Sequence, residues 1–151
     1  MASLFQFSKN MRRRGRQVEN AATGVTRAAV GAALVAVVQG TPADKGVARS
    51  NWRIGLGAPA TAVIPAYAPG KKLGRGETAN AGAAIAAGKA RLALPLGSAG
   101  GGLKTAVYLS NNVPYIEKLN GGSSTQAAKG FVETAIFAAV GAIRGFRVFR
   151  F

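Results

Sequence analysis

The sequence predicts an α+β fold: a long N-terminal helix, a small mostly antiparallel sheet, a short Ala-rich helix and a C-terminal helix packed on it. Three observations carry this prediction. Apolar residues recur at helical spacing towards both ends of the chain, they alternate with period two over 52–56 and 103–110, and turn-forming residues separate the two kinds of pattern. The chain has 151 residues, the length of one ordinary domain, so 1–151 is expected to share a single core.

From Lys9 to Gln39 the residues Met11, Val18, Ala22, Val25, Ala29, Ala32 and Ala36 recur mostly at alternating steps of four and three, one stripe of a helix. Ser8 is the candidate N-cap. Gly40 and Thr41-Pro42 end the helix, since Gly suits the position after a helix and Pro cannot continue one. Arg12, Arg13, Arg14 and Arg16 crowd the first turns, where the macrodipole disfavours cations, so either a solvated basic face or a partner accounts for them.

Thr41-Pro42-Ala43-Asp44-Lys45-Gly46 then reads as a tight turn. Pro42 fixes φ, Asp44 can accept backbone N–H bonds and Gly46 permits a positive φ. Residues 47–51 are expected to lead straight into a strand whose Trp52, Ile54 and Leu56 face one way, so the only tryptophan anchors a structural corner. A flexible Gly/Ala/Pro-rich region succeeds it over about 57–102. It contains a short candidate strand at 61–64, a basic turn with Lys71, Lys72 and Arg75, an Ala-rich helix from Glu77 to about Leu94, and the connection SAGGG at 98–102.

LKTAVYLS, 103–110, is the second strand, and Asn111-Asn112 turn the chain after it. Pro114 opens one helical turn in VPYIEKL. GGSSTQ leads into the last helix, with the apolar stripe Ala128, Phe131, Val132, Ala135, Ile136, Ala139 and Ile143. Arg144, Arg147 and Arg150 suit its C-terminal end electrostatically, and Phe146, Phe149 and Phe151 could serve as core or as a docking surface.

Composition removes several classes of chemistry. Histidine and cysteine are both absent, which excludes Ser-His-Asp and Cys-His catalysis, the usual zinc sites and disulfides. The acidic residues Glu19, Asp44, Glu77, Glu117 and Glu133 are scattered without helical pairing, so neither a metal nor an acid–base site is expected. Gly97–Thr105 misses the phosphate-loop pattern because Leu103 stands where the lysine belongs, and Gly74-Arg75-Gly76 is not completed as a dinucleotide fingerprint. No enzyme and no cofactor are expected.

The chain opens with apolar residues before its charges, the reverse of a secretory signal, although its Arg-rich, acid-poor start loosely suits a transit peptide. The uncharged apolar runs at 28–38 and 134–143 fall short of the ~20 residues that span a bilayer. A soluble protein with no membrane partner is expected, and a membrane-active basic helix fits only the first 40 residues.

Lys and Arg total 20 against 5 Asp and Glu, a net charge of +15 that favours an anionic partner. The basic clusters Lys9–Arg16, Lys71–Arg75 and Arg144–Arg150 admit one reading as a small basic protein that binds or compacts nucleic acid in a salt-dependent way. No nucleic-acid motif accompanies them.

Thr41, Pro42, Asp44, Gly46, Arg49, Ser50, Asn51 and Trp52 resemble the T-P-V-D-T-G-R-A-R-S-N-W signature of the tailed-bacteriophage neck and tail-completion proteins, a family of minor tail and head–tail connection proteins. Two further blocks are similar in order and spacing. AAIAAGKARLA (83–93) looks like the family's Ala-rich helix, and VYLSNNVPYIEKLNGGSSTQA (107–127) looks like its Y-I-S-N-N-L-P-Y-I-E-x-L-E-x-G-x-S-x-Q-A segment, matched at Tyr108, Ser110, Asn111, Asn112, Pro114, Tyr115, Glu117, Leu119, Gly122, Ser124, Gln126 and Ala127. Lys45 departs from the usual Thr, Ala43 from Val, and Ala128-Lys129-Gly130-Phe131 from P-x-G-M.

The resemblance implies a non-enzymatic virion protein, assembled in the host cytoplasm, that forms a ring at the head–tail junction around the DNA channel. On the order of six or twelve copies would close such a ring through a head-to-tail interface. Its implied neighbours are a portal, adaptor or head-closure protein on one side and tail-tube or tail-terminator proteins on the other. Asp44 and Arg49 could pair within the corner or across subunits.

Overall fold

The structure, a computed structural model, describes residues 3–69, 77–96 and 105–146. It has the expected α+β architecture. A long N-terminal helix α1 (Leu4–Gly40) leads through a one-turn helix α2 (Val47–Ser50) into strand β1 (Arg53–Leu56). Next in the chain are the Ala-rich helix α3 (Glu77–Ala93), strand β2 (Val107–Ser110), a short helix α4 (Ile116–Asn120) and helix α5 (Phe131–Gly145).

α1 begins earlier than its sequence pattern shows. The cap is Ser3, whose hydroxyl accepts the Gln6 N–H at 3.3 Å, and Ser8 lies inside the helix. At the other end Thr41 turns extended while its N–H still reaches the Val37 carbonyl at 3.0 Å, so Gly40 is the last helical residue instead of the residue after the helix. The buried face is formed by Ala29, Leu34, Val37 and Val38, with Val30, Ala33 and Ala36 packed against the same core. Of the predicted stripe, Ala29 and Ala36 therefore belong to the core, but Met11 and Val18 are exposed. The physical reason is length: α5 lies along only the second half of α1.

Two close approaches fix that helix pairing. A Cβ on Gly40 would fall 2.8 Å from the Phe131 side chain, and one on Gly24 would fall 2.6 Å from the ring of Phe146. The helices thus run antiparallel with Gly40 beside the start of α5 and Gly24 beside its end. α5 starts at Phe131, preceded by Gly130 at φ 82°, so Ala128 lies outside the helix. Phe131 and Ala135 are buried, whereas Ile136 and Ile143, assigned to the same stripe by their spacing, face solvent.

β1 and β2 form a two-stranded antiparallel sheet, with Arg53 opposite Ser110 and Leu56 opposite Val107. Val107 and Leu109 pack on the core beside Ile54 and Leu56, as the period-two pattern requires. Positions 103 and 104 of the expected strand lie outside the described residues. α3 contributes Ala84 and Leu92 to the core. Its C-terminal carbonyls receive Arg27 of α1, whose guanidinium donates to Leu92 at 2.8 Å, Ala93 at 3.2 Å and Leu94 at 3.1 Å, a cation placed where the helix dipole favours one.

The segment after β1 is neither strand nor slack linker. Residues 61–64 have no strand partner, and 58–69 form an irregular strap that side chains from elsewhere hold in place. Lys71, Lys72, Arg75 and the 98–102 connection lie outside the described residues. α1 also corrects a reading of the apolar runs. Over an 18-residue window its mean hydropathy is 1.7, enough by length and composition alone to cross a membrane; in this fold its Leu34, Val37 and Val38 are buried against protein.

Trp52 joins the two halves of the core. Its ring meets Phe131 edge-on, centroids 6.5 Å apart at 87°. Trp52→Ala is expected to cost about 3–5 kcal/mol in chemical denaturation, the cost of removing a large buried aromatic; a near-wild-type midpoint would mean that Trp52 serves a surface contact.

Candidate functional site

The corner after α1 is built on Thr41, which is fully buried. Its hydroxyl donates to the Val37 carbonyl at 2.6 Å and accepts the Trp52 indole N–H at 2.7 Å. Arg49, also buried, donates from Nε and Nη2 to the Thr41 carbonyl at 3.1 and 2.5 Å, and from Nη2 to the Gln39 carbonyl at 3.5 Å. A guanidinium thus caps the C-terminal end of α1, which a cation suits. This supplies Arg49 with partners inside the corner, while Asp44 is exposed on its rim.

Gly46 makes the turn possible. Its φ of 80° lies in the left-handed region, and a side chain there would collide with the Asn80 amide. The chain then coils into α2 instead of entering β1 directly, because the Ser50 N–H closes a helical turn on the Gly46 carbonyl at 3.0 Å.

From this corner, polar side chains hold the strap as a neighbouring strand would. The Asn51 amide accepts the Ile64 N–H and donates to the Ile64 carbonyl, both at 2.8 Å, and donates also to Val47 at 2.8 Å. Asn80 treats Ala68 in the same way, accepting at 2.8 Å and donating at 2.7 Å, while Ser50 donates to Asn80 Oδ1 at 3.0 Å and accepts the Tyr67 N–H at 3.3 Å. Ser110 and Asn112 both donate to the Ala60 carbonyl, at 3.0 and 2.5 Å, and Arg53 donates to Ala62 at 3.1 Å. Asn111 ties the last motif block to the first, donating to the Ala48 carbonyl at 2.8 Å. Sequence reasoning missed Asn80. A lone Asn in an otherwise Ala/Gly-rich helix, where it is a poor helix former, was the available signal for Asn80.

The two blocks also face each other across an open cleft of about 660 Å³, with Pro42, Asp44 and Lys45 on one wall and Tyr115, Ser124 and Gln126 on the other. Pro114 lies exposed in the turn before Tyr115. The cleft offers hydroxyls, an amide, one carboxylate and the Lys45 ammonium. Among the described residues no group of three His, Cys, Asp or Glu side chains could hold a metal ion.

Among the described residues the basic side chains are not gathered into one patch at the corner. Arg12, Arg13, Arg14 and Arg16 are exposed on the first half of α1, and Arg144 is exposed at the far end of α5. Arg147 and Arg150, like Lys71, Lys72 and Arg75, lie outside the described residues. No family model, curated protein or solved structure matches this chain.

One group on the cleft wall titrates unusually. Burial first, and the Asp44 carboxylate second, hold the Tyr115 hydroxyl above its ordinary pKa. The neutral phenol is therefore favoured in the folded state, a contribution present below the ordinary tyrosine range and lost as pH rises through the folded value. Asp44→Asn is expected to lower the Tyr115 pKa, without restoring its ordinary value because burial persists. An NMR titration of the Tyr115 ring that is unchanged by the substitution would show that the carboxylate does not act on it.

Proposed function

We propose that this chain is a structural, non-enzymatic protein of a tailed-phage particle that forms a ring at the head–tail junction, around the channel through which DNA passes. The observation that carries the reading is where the resembling residues lie. Thr41, Gly46, Arg49, Asn51 and Trp52 from the first block are buried, and Ser110, Asn111 and Asn112 from the last bond to main chain of the strap and of α2. A sequence pattern shared for catalysis would converge reactive groups on a site; this one holds a frame. Such a frame suits a protein whose work is to present surfaces to neighbours.

Those surfaces are ample. The first half of α1 is solvent-exposed and carries both large apolar side chains and the arginine cluster, and α5 leaves an apolar outer face uncovered. A closed ring uses two different surfaces of each subunit, one for each neighbour. The proposed neighbours outside the ring are a portal, adaptor or head-closure protein and a tail-tube or tail-terminator protein.

The exposed cluster Arg12, Arg13, Arg14 and Arg16 favours a second reading, a small basic protein that coats or compacts nucleic acid. Quantitative mass spectrometry of purified particles separates the two. A fixed count on the order of six or twelve copies per portal is expected. Absence from the particle, or a copy number that scales with DNA length and falls as salt rises, would overturn the ring reading in favour of nucleic-acid coating.

A further inference from the structure

Half of α1 stands clear of the rest of the described chain, and along one side of it Leu4, Phe7 and Met11 are 88%, 61% and 53% exposed. The outer face of α5 is similarly bare, with Ile136, Val140 and Ile143 at 58%, 37% and 48%. Each row continues into a single exposed charge of opposite sign, Arg14 on α1 and Glu133 on α5.

The two rows mirror each other. Leu4, Phe7, Met11 and Arg14 advance by three, four and three residues; Ile143, Val140, Ile136 and Glu133 retreat by three, four and three. Steps of three and four keep each set on one helix face. Laid antiparallel, the helices bring Leu4 to Ile143, Phe7 to Val140, Met11 to Ile136 and Arg14 to Glu133, over a length of about 15 Å.

One chain cannot make this contact with itself, because its own α1 and α5 are locked with Gly24 at Phe146 and Gly40 at Phe131. We propose that the arm Leu4–Arg14 of one copy docks antiparallel on the outer face of α5 of a second copy.

Charge decides in favour of a second copy in this orientation. The chain is strongly basic, so self-association needs seams from which like charges are excluded. Lys9, Arg12, Arg13 and Arg16 fall on the side of α1 opposite the apolar row, away from the contact. The one arginine within the row meets one of the few acids of the protein. Packing arm against parallel arm would instead set Arg14 beside Arg14. The contact is head-to-tail, since arm and α5 face are different surfaces, and it leaves the cluster of arm cations free for an anionic neighbour. It deepens the ring reading and rests on it for closure; cross-linking reads the contact and particle stoichiometry reads the ring, so the two can fail separately.

The absence of cysteine makes the test clean. Full-length Met11→Cys and Ile136→Cys chains, separately tagged, co-expressed and mildly oxidised, are expected to give a mixed disulfide-linked dimer on the order of ten-fold more abundant than the homodimer of either variant, because only facing Cβ atoms can be bridged. Predominant linking of Met11→Cys to itself would overturn the proposal in favour of arm-on-arm pairing, and a mixture that remains unlinked would overturn it outright. Arg14→Glu in the Met11→Cys chain should reduce the mixed product several-fold, and Glu133→Arg in the Ile136→Cys partner should restore it. Failure of that restoration would overturn the antiparallel register.

Discussion

The hydroxyl of Thr41 lies where three parts of the fold meet. It is bonded to the last turn of α1 through Val37 and to Trp52 at the threshold of β1, while the carbonyl of the same residue receives Arg49. In a buried place each of these polar atoms needs a partner, and each supplies another's. The direction in which the chain leaves α1, the seating of the indole against Phe131 and the capping of the helix end are therefore one constraint. Leu34, Val37 and Val38 can pack on Trp52, Ile54 and Phe131 because the corner sets the angle between helix and sheet.

Beyond the corner, the strap is ordered in an unusual way. Residues 58–69 are mostly alanine and proline, with Thr61, Val63, Ile64 and Tyr67 among them, and none of them pairs with a strand among the described residues. Their backbone groups bond instead to the side chains of Asn51, Arg53, Asn80, Ser110 and Asn112. An Asn amide presents a donor and an acceptor side by side, so it can stand in for one residue of a strand partner. Main-chain polarity along the strap is met by side chains where a third strand would otherwise be needed.

The elements whose signals are local were legible in the sequence. Helical spacing marked α1 and α5, Ala-rich composition marked α3, alternation marked β1 and β2, and the Pro–Asp–Gly turn is present with Gly46 in the left-handed region. The features that sequence did not reveal depend on distant partners. Met11 and Ile136 carry the same helical spacing as Ala29 and Phe131, yet only the latter are covered, because periodicity marks an apolar face without saying what packs on it. The candidate strand at 61–64 is absent for the complementary reason: the bonds that hold this segment come from side chains up to 52 residues away. The corner residues were named from the sequence with their structural weight, but the link from Arg49 to the helix end, and the Asn80 clamp, required the fold. Internal residues account for the shape, and under the proposed assembly the exposed apolar rows are left for association.

Hydrogen exchange at the Trp52 indole N–H and the backbone amides of Ile64 and Ala68 reads whether the corner and its amide clamps order the strap. These three groups donate to Thr41, Asn51 and Asn80 respectively. All three are expected to exchange only through the same opening as the amides of β1, with equal free energies of protection. Exchange of Ile64 and Ala68 at the rate of an unstructured peptide, while β1 stays protected, would contradict that ordering.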